Sequence, residues 1–204
     1  MTTVDINLIV EDTLSEALLV QVLVQSKSNL KVATTLGLEG FGYIKRTING
    51  FNKTAGGMPY LVLTDLDEYS CPKALMNSWL SAPLHRNMLF RVVVREVESW
   101  VLADRTNIAS YLSVAKQKIP QRPDELEDPK QFLINLARKS RKRTIREGIA
   151  PLPFSTAKIG RDYNGLLTAF VATNWKLANA KDNSVSLSRA VKRISEFTPD
   201  IKSA

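Results

Sequence analysis

Carboxylate side chains follow three hydrophobic runs of this sequence, directly after the point where each run ends. The runs cover residues 4–10, 58–64 and 89–94, and the carboxylates that follow them are Glu11, Asp65, Asp67, Glu96 and Glu98. Carboxylates that lie close together raise one another's pKa values unless a cation compensates their charge. Mg²⁺ prefers hard oxygen ligands of this kind, and Mn²⁺ accepts the same ligands. The residue types therefore predict a divalent metal site, provided that the fold brings the runs together.

The elements that would position these residues alternate between two periodicities. Segments with helical spacing of apolar residues separate four strand-like runs, at residues 4–10, 31–36, 58–64 and 89–94. Strands that alternate with helices are typical of a doubly wound parallel sheet. We therefore predict an α/β fold with an open parallel sheet of about four strands flanked by helices. In such sheets ligands bind outside the carboxyl ends of the strands, which is where the carboxylates stand.

The chain changes character after Asp104. Helical periodicity continues, prolines separate the helical segments, and no clear strand pattern is present. Proline interrupts helices because it lacks the backbone N–H and clashes with the preceding turn. We therefore predict two parts, an α/β domain at residues 1–104 and a mainly helical, basic extension at residues 105–204 packed on it.

Positive charge is concentrated in the second part. Residues 1–100 carry nine Lys and Arg against ten Asp and Glu, residues 101–204 carry nineteen against ten, and the net charge is +8. Six cations fall within nine residues, at Arg138, Lys139, Arg141, Lys142, Arg143 and Arg146. Because Lys and Arg gain affinity by neutralising phosphates, we predict that this segment contacts the backbone of DNA or RNA. No aromatic residue is interleaved with it, so base stacking is not predicted, and a solvated surface is the alternative.

Two motifs stand at the ends of the first and third runs. They are Leu-Ile-Val-Glu at residues 8–11, followed by Glu16, and Leu-Thr-Asp-Leu-Asp at residues 63–67. Together they resemble the Toprim domain of topoisomerases, primases and OLD-type nucleases. A stand-alone bacterial Toprim-like family of uncharacterised function is similar to the segments at residues 91–104, 159–163 and 186–190. The resemblance thus covers most of the chain.

The resemblance implies a function and a set of site residues. It implies a nuclease that depends on Mg²⁺ or Mn²⁺, with catalytic residues at Glu11, Asp65, Asp67 and Glu98. The metal ligands are expected among Glu11, Glu16, Asp65, Asp67, Glu96 and Glu98. OLD-type relatives couple the domain to an ATPase, and this sequence has no Walker A motif, so the expected partner is a separate ATPase subunit in a bacterial or phage defence system. The glycine that commonly follows the first Toprim glutamate is Asp12 here, which changes the shape of the first turn.

Simpler explanations and other functions stay open. Thr13 and Glu16 fit a capping box at a helix start, and Glu96 could pair with Arg91 or Arg95. One alternative function is a noncatalytic Toprim-fold module that binds nucleic acid or a partner. Another is a receiver-like signalling domain, which is disfavoured because the fourth run ends in arginine and glutamate where a receiver has a hydroxyl residue.

Further residues bear on compartment and packing. Cys71 is the single cysteine, so no internal disulfide can form, and a reducing cytoplasm is expected. We find neither a signal peptide nor a long apolar membrane span, and homo-oligomerisation stays open. Trp79, Trp100 and Trp175 lie in helical apolar stripes and are predicted core residues. Asp104 is predicted to end or cap a helix.

Overall fold

A computed structural model describes residues 3–200 as four strands and ten helices. The strands are β1 (Val4–Val10), β2 (Leu30–Gly37), β3 (Tyr60–Asp65) and β4 (Met88–Val93). The helices are α1 (Thr13–Gln25), α2 (Phe41–Thr54), α3 (Pro72–Trp79), α4 (Glu98–Ala103), α5 (Arg105–Leu112), α6 (Pro129–Arg138), α7 (Arg143–Ile149), α8 (Tyr163–Thr173), α9 (Leu177–Ala180) and α10 (Val185–Ser195). None of these described helices is both long enough and apolar enough to cross a membrane.

The sheet is parallel throughout, with the strand order β2-β1-β3-β4. This confirms the predicted α/β class, the four strands and the helical second half. The chain leaves β1 toward β2 on one side and returns to β3 on the other, so the strand order reverses between β1 and β3. Ligands bind in the crevice at the carboxyl ends of the strands where such a reversal occurs. Glu11 follows β1 and Asp65 ends β3, so both stand at this crevice.

Each face of the sheet carries its own hydrophobic core. Alternate residues of a strand point to opposite faces. Leu61 and Leu63 of β3 therefore pack with α1 and the C-terminal helices, whereas Tyr60 and Val62 pack with α2 and α3. All four side chains are buried, which explains why β3 reads as a continuous apolar run.

The helices of the second half complete the core on one face of the sheet. Helix α8 packs along α1. Trp100 of α4 is fully buried and donates its Nε1 hydrogen to Ser186 Oγ of α10 at 2.7 Å. Trp175, just before α9, donates its own Nε1 hydrogen to the carbonyl oxygen of Trp100 at 2.9 Å. Trp79 is also buried, so the predicted burial of all three tryptophans is confirmed.

Asp104 joins three helices of the second half. It is buried at the start of α5, where its carboxylate accepts a hydrogen bond from the backbone N–H of Asn107. The same carboxylate accepts from the backbone N–H of Lys176 at 2.8 Å and from the side chain of Asn179 at 3.2 Å. The predicted capping role is confirmed, and the contacts extend it to the positioning of α9 against α4 and α5.

The start of α1 differs from the predicted capping box. Asp12 is the N-cap, and its Oδ1 accepts a hydrogen bond from the backbone N–H of Ser15 at 2.8 Å. The prediction that Thr13 and Glu16 form the cap is therefore wrong, because the carboxylate of Asp12 already satisfies the free N–H of the first turn. The turn after β1 is thus shaped by an aspartate at the position where Toprim domains commonly have glycine.

A glycine at the end of β2 lets that strand approach the end of β1 closely. Gly37 has a φ of +97°, and a Cβ at this position would lie 2.3 Å from the carbonyl oxygen of Val10. The next residues bind the same turn, because Leu38 donates its N–H to Val10 and Gly40 donates its N–H to the carbonyl of Glu11 at 2.9 Å. The backbone of Glu11 is therefore held by β2 before its side chain makes any contact.

Candidate active site

Glu11 is held against the end of β3 at the crevice. Its Oε1 accepts hydrogen bonds from the hydroxyl of Thr64 and, at 2.9 Å, from the backbone N–H of Asp65. Burial raises the pKa of Glu11, and these two hydrogen bonds oppose that shift without cancelling it. The nearby charge of Asp67 adds to the rise. Two hydrogen bonds thus fix the position of the Glu11 carboxylate, and its raised pKa means that its ionised form is less favoured than in a free glutamate.

Asp65 lies at the centre of the carboxylates. Its pKa is raised well above the ordinary value, first by burial and then by the negative charges of Glu11, Glu98 and Asp67. Asp65 is half-buried. Among residues 3–200, no group donates a hydrogen bond to its side-chain oxygens. The raised pKa means that the ionised form of Asp65 is poorly compensated.

Asp67 stands at the exposed rim of the crevice. The strand ends at Asp65, and Asp67 adopts a left-handed backbone with a φ of +47°. An extended backbone would project Asp65 and Asp67 from the same side, but the extended conformation does not persist to Asp67. Leu66 and Arg95 hold the turn, because Leu66 N–H donates to the carbonyl of Arg95 and Arg95 Nη1 donates to the carbonyl of Asp67. Partial burial and the charge of Glu68 raise the pKa of Asp67.

Glu98 is the most buried carboxylate of the group, with 2% of its surface exposed. Its Oε1 accepts a hydrogen bond from the hydroxyl of Tyr163 at 2.7 Å and lies 3.7 Å from Nζ of Lys130. Burial raises the pKa of Glu98, and Lys130 and Tyr163 only partly offset that rise. Burial and the Glu98 charge also raise the pKa of Tyr163, so its phenol stays protonated as the donor. Glu98 is therefore positioned by α6 and α8.

Glu96 contacts the start of α6. Its Oε2 accepts a hydrogen bond from the backbone N–H of Lys130 at 2.9 Å, so the alternative pairing with Arg91 or Arg95 is wrong. A carboxylate is favoured at a helix N-terminus, where free N–H groups and the helix dipole point at it. Burial nevertheless raises the pKa of Glu96 to about 7, and the charge of Glu98 contributes to the rise.

Lys130 and Tyr163 are site residues that the sequence interpretation missed. Burial by itself would lower the pKa of Lys130, but the charges of Glu98, Glu96 and Asp12 outweigh it and raise that pKa. The Lys130 ammonium also lies 5.5 Å from the centre of the Tyr163 ring. The helix dipole disfavours lysine in the first turn of a helix. The position of Lys130 directly after Pro129 could therefore have indicated that a nearby negative charge compensates it.

Five of the six predicted metal ligands lie in one group, and Glu16 does not belong to it. Glu11, Asp65, Asp67, Glu96 and Glu98 form one group in which several members raise one another's pKa values, and Asp12 adds its charge. Glu16 is not among the main charges that act on this group, and its side chain makes no hydrogen bond or ion pair within residues 3–200. We refer to Glu11, Asp65, Asp67, Glu96 and Glu98 as the carboxylate group.

The carboxylate group fits a hard divalent cation in chemistry. All its donors are carboxylate oxygens, the ligands that Mg²⁺ and Mn²⁺ prefer, and their raised pKa values show that their charge is not fully compensated. Within the described part of the chain, however, no three acidic, thiol or imidazole side chains converge closely enough to hold one ion. Lys130 is the cation that contacts the group, through its ion pair with Glu98.

A cleft of about 1100 Å³ adjoins the carboxylate group. It follows α6 from Lys130 to Arg138, a distance of about 12 Å along the helix axis. Arg146 of α7 and Lys158 also line it, as does Glu96. Among the described residues, Glu96 is the member of the carboxylate group that lines the cleft, so the cleft runs from the Glu96 side of the group to cations of the second half.

The basic segment divides between this cleft and the outer surface. Arg138 and Arg146 line the cleft, and Arg146 Nη1 donates to the carbonyl of Ser140 at 2.9 Å. The other four cations lie outside it and are exposed, at Lys139, Arg141, Lys142 and Arg143. The predicted cluster is thus a helix–loop–helix segment in which two of the six cations stand beside the acidic site.

Replacing Glu96 with glutamine is expected to reduce the pH dependence of stability. Because folding raises the pKa of Glu96 from 4.5 to about 7, its contribution to the free energy of unfolding falls as the pH rises across that range. Solvent screening of this half-buried group limits the loss to about 1–2 kcal/mol. Glutamine keeps an acceptor for Lys130 N–H and carries no charge.

Urea unfolding at pH 5 and pH 8, with divalent metals chelated, measures this difference. The Glu96→Gln protein should lose less stability between the two pH values than the wild type. Glu39→Gln is the matched control, because Glu39 is exposed and lies outside the carboxylate group. Equal pH dependence in the wild type and in Glu96→Gln would contradict the prediction.

Comparisons with known proteins add no relative to this picture. A scan of protein-family models finds none that matches the chain, and searches of curated proteins and of solved structures find no match. The resemblance to the Toprim domain therefore stays a prediction from the motifs at residues 8–11 and 63–67, as does the similarity of residues 91–104, 159–163 and 186–190 to the stand-alone family.

Proposed function

We propose that this chain is a nuclease that hydrolyses phosphodiester bonds of DNA or RNA with Mg²⁺ or Mn²⁺. The observation that carries the proposal is the position of Asp65 beside Glu11 and Glu98 at the point where the strand order reverses, with no hydrogen bond to its side-chain oxygens within residues 3–200. Carboxylates that lie close together at a ligand crevice favour the binding of a cation. The Lys and Arg side chains of the adjoining cleft favour the binding of a polyanionic substrate. The Toprim resemblance of the motifs agrees with this chemistry.

Three members of the carboxylate group would hold the metal. Asp65 offers free oxygens, Asp67 stands at the rim, and Glu11 has a second oxygen besides the one that accepts two hydrogen bonds. When bound, the metal supplies a Lewis acid that polarises the phosphate and lowers the pKa of water. Within the described residues these side chains do not converge closely enough to hold an ion as they stand, so metal binding requires them to come closer together.

The chain's own residues have separate tasks in this proposal. Glu11 offers Oε2, the oxygen that accepts no hydrogen bond within residues 3–200, either to the metal or to a proton in general acid–base catalysis, and burial raises its pKa. Lys130 places a positive charge between Glu98 and the cleft, where it binds a phosphate oxygen. Tyr163 keeps Glu98 in place through its hydroxyl. Arg138 and Arg146 bind the substrate backbone further along the cleft.

Cleavage assays with the purified chain test the proposal. Plasmid, single-stranded DNA and RNA are incubated with Mg²⁺, with Mn²⁺ and with a chelator, beside Asp67→Ala. We expect metal-dependent products from the wild type and a strong loss in the variant, which should stay folded because Asp67 is exposed. Asp182→Ala, an exposed aspartate in the second half, serves as the control. Identical results for the wild type and Asp67→Ala on every substrate would rule out this activity of the isolated chain.

We further propose a place in the cell for this activity. By analogy with OLD-type nucleases, the chain acts in the cytoplasm with a separate ATPase, as the effector of a bacterial or phage defence system. In this division of labour, residues 1–104 carry the catalytic carboxylates and residues 105–204 contribute Lys130, Tyr163 and the cations of the cleft. Repeating the cleavage assay with ATP and the product of any adjacent ATPase gene tests the partnership through an ATP-dependent gain in rate.

A noncatalytic nucleic-acid-binding module is the second candidate. The ion pair between Lys130 and Glu98 favours it, because an ammonium group already compensates part of the charge that a metal would neutralise. This candidate predicts salt-dependent binding of nucleic acid without cleavage in any metal. It also predicts that Mg²⁺ and Mn²⁺ leave the thermal midpoint unchanged, whereas the nuclease should be stabilised by the metal that it binds.

A further inference from the structure

Phe154 lies on the rim of the cleft with its side chain fully exposed. It sits in the loop between α7 and α8, at residues 150–162. Leu152, which is also exposed, precedes it in the same loop. The ring is therefore available to a ligand in the cleft that Lys130, Arg138 and Arg146 line.

The backbone at Phe154 is strained in a way that presents the ring. Leu152 to Ser155 form a turn in which Ser155 N–H donates to the carbonyl of Leu152 at 3.1 Å. Pro153 occupies the second position, and Phe154 occupies the third with a φ of +64°, a conformation that favours glycine. Phenylalanine thus bears both an unfavourable backbone conformation and full exposure, and no contact within residues 3–200 compensates for either.

Backbone hydrogen bonds fix the base of this loop. Gly160 N–H donates to the carbonyl of Ile149 at 2.9 Å, and Asp162 N–H donates to the carbonyl of Gly148 at 3.0 Å. A Cβ on Gly160 would lie 2.2 Å from the carbonyl oxygen of Gly148, so only glycine allows the two chain segments to approach this closely. The loop is therefore closed at its base, and Phe154 beyond this closure lines the cleft.

The charges around the ring indicate what it meets. Arg138, Arg146 and Lys158 line the cleft on the side away from the carboxylate group. The acidic side chains that share the cleft are already engaged or stand at the start of α6: Glu147 pairs with Arg143, Asp128 caps α6, and Glu96 accepts from Lys130. An aromatic ring among available cations suits a ligand that has both phosphates and flat apolar faces.

We propose that Phe154 stacks on an unpaired base of single-stranded nucleic acid, whose phosphates bind Arg138, Arg146 and Lys158. The inference rests on the proposed function, because it assigns the substrate class of the same site. A duplex keeps its base faces stacked on one another, so a ring on a loop tip cannot reach them, whereas a single strand exposes them. Sequence reasoning did not predict stacking, since Phe154 lies eight residues beyond the basic segment and only folding brings it to the same cleft.

Equilibrium binding of labelled oligonucleotides, with divalent metals chelated so that nothing is cut, tests the proposal. The probes are a single-stranded oligothymidylate, a duplex of equal length and an abasic strand of equal length. We expect the single strand to bind the wild type more tightly than the duplex does. Phe154→Ala should weaken single-strand binding about 5- to 100-fold, the usual effect of removing one stacked aromatic, and should leave abasic-strand binding unchanged. Leu152→Ala, an exposed apolar change in the same loop, should alter binding less than twofold.

A tryptophan at this position supplies a second measurement. The three native tryptophans are buried, so Phe154→Trp adds a solvent-exposed reporter. This variant should retain single-strand affinity, and its added fluorescence should be quenched by oligothymidylate but not by the abasic strand. Equal affinities of the wild type and Phe154→Ala for oligothymidylate, an equal loss on the abasic strand, tighter binding of the duplex, or no binding at all would each overturn the stacking proposal.

The outcomes separate this proposal from the nuclease proposal. Stacking without cleavage in the metal assays would remove only the nuclease activity. Metal-dependent cleavage with unaltered binding by Phe154→Ala would remove only the stacking role.

Discussion

Replacing Asp65 with asparagine is expected to abolish metal-dependent cleavage and, at the same time, to stabilise the metal-free protein. Asp65 keeps free oxygens among carboxylates that raise its pKa, so a neutral amide removes both a metal ligand and an unfavourable charge. Loss of a direct ligand should reduce the cleavage rate at least about 100-fold. At pH 8 without metal, the free energy of unfolding should rise by about 1 kcal/mol, which is a shift of a few degrees in the thermal midpoint.

The sign of the stability change follows from the direction of the pKa shift. Folding raises the pKa of Asp65, so the wild type loses stability as the pH rises and the carboxylate must ionise in the folded chain. The gain from Asp65→Asn should therefore be present at pH 8 and vanish at acid pH, where the carboxyl group is protonated in both states.

Calorimetry at pH 3 and pH 8, with and without Mn²⁺ at pH 8, measures both the stability change and the metal binding. Mn²⁺ should raise the midpoint of the wild type and leave that of Asp65→Asn unchanged. Asp5→Asn provides the matched control, because Asp5 is exposed on β1 and lies outside the carboxylate group. The expectation fails if Asp65→Asn is less stable than the wild type at pH 8, or if Mn²⁺ stabilises both proteins equally.

Replacing Trp100 with alanine is expected to destabilise the whole chain by about 3–5 kcal/mol, the usual loss for a buried large aromatic. Trp100 is fully buried between the sheet and the C-terminal helices, and it forms hydrogen bonds with Ser186 and Trp175. Because its core includes residues from both halves, the loss should appear in one cooperative transition.

Urea unfolding followed by far-ultraviolet circular dichroism and by tryptophan fluorescence measures this change. The two signals should give the same midpoint in the wild type and in Trp100→Ala, with the midpoint of the variant at lower urea concentration. Phe154→Ala is the control, since that ring is exposed and its removal should change the free energy of unfolding by less than about 0.5 kcal/mol. Two separate transitions, or a loss no larger than in Phe154→Ala, would show that the halves do not share a core.

Local patterns in the sequence determined the elements and the edge at which the chemistry stands. The four strands and the helical second half could be predicted because each hydrophobic run is continuous and each helix repeats its apolar residues. The place of Glu11 and Asp65 followed from the same patterns, since parallel strands bring their carboxyl ends to one edge. Those predictions need only neighbours in the chain and the rules of parallel sheets.

Turn geometry at the ends of strands was beyond the same reasoning. Asp67 leaves the extended conformation because the backbone N–H of Leu66 donates a hydrogen bond to the carbonyl of Arg95. The two residues are 29 positions apart in the sequence. Glu96 likewise contacts the N–H of Lys130 rather than the nearby Arg91 or Arg95. In both cases a hydrogen bond from a distant segment outweighs the local preference.

Only the tertiary structure decided which distant residues join the carboxylates and the cleft. Lys130 and Tyr163 reach Glu98 because α6 and α8 pack on the first half through a shared hydrophobic core. Lys130 belongs to no recognisable motif, and the family-like segment at residues 159–163 includes Tyr163 without indicating its contact with Glu98. Phe154 reaches the basic cleft because its loop is closed by backbone bonds near Gly160. The sequence by itself determined the acidic edge of the sheet, since that depends on local periodicity. The positions of Lys130 beside that edge and of Phe154 at the cleft depend on long-range packing. Local patterns in the sequence carry no information about such packing.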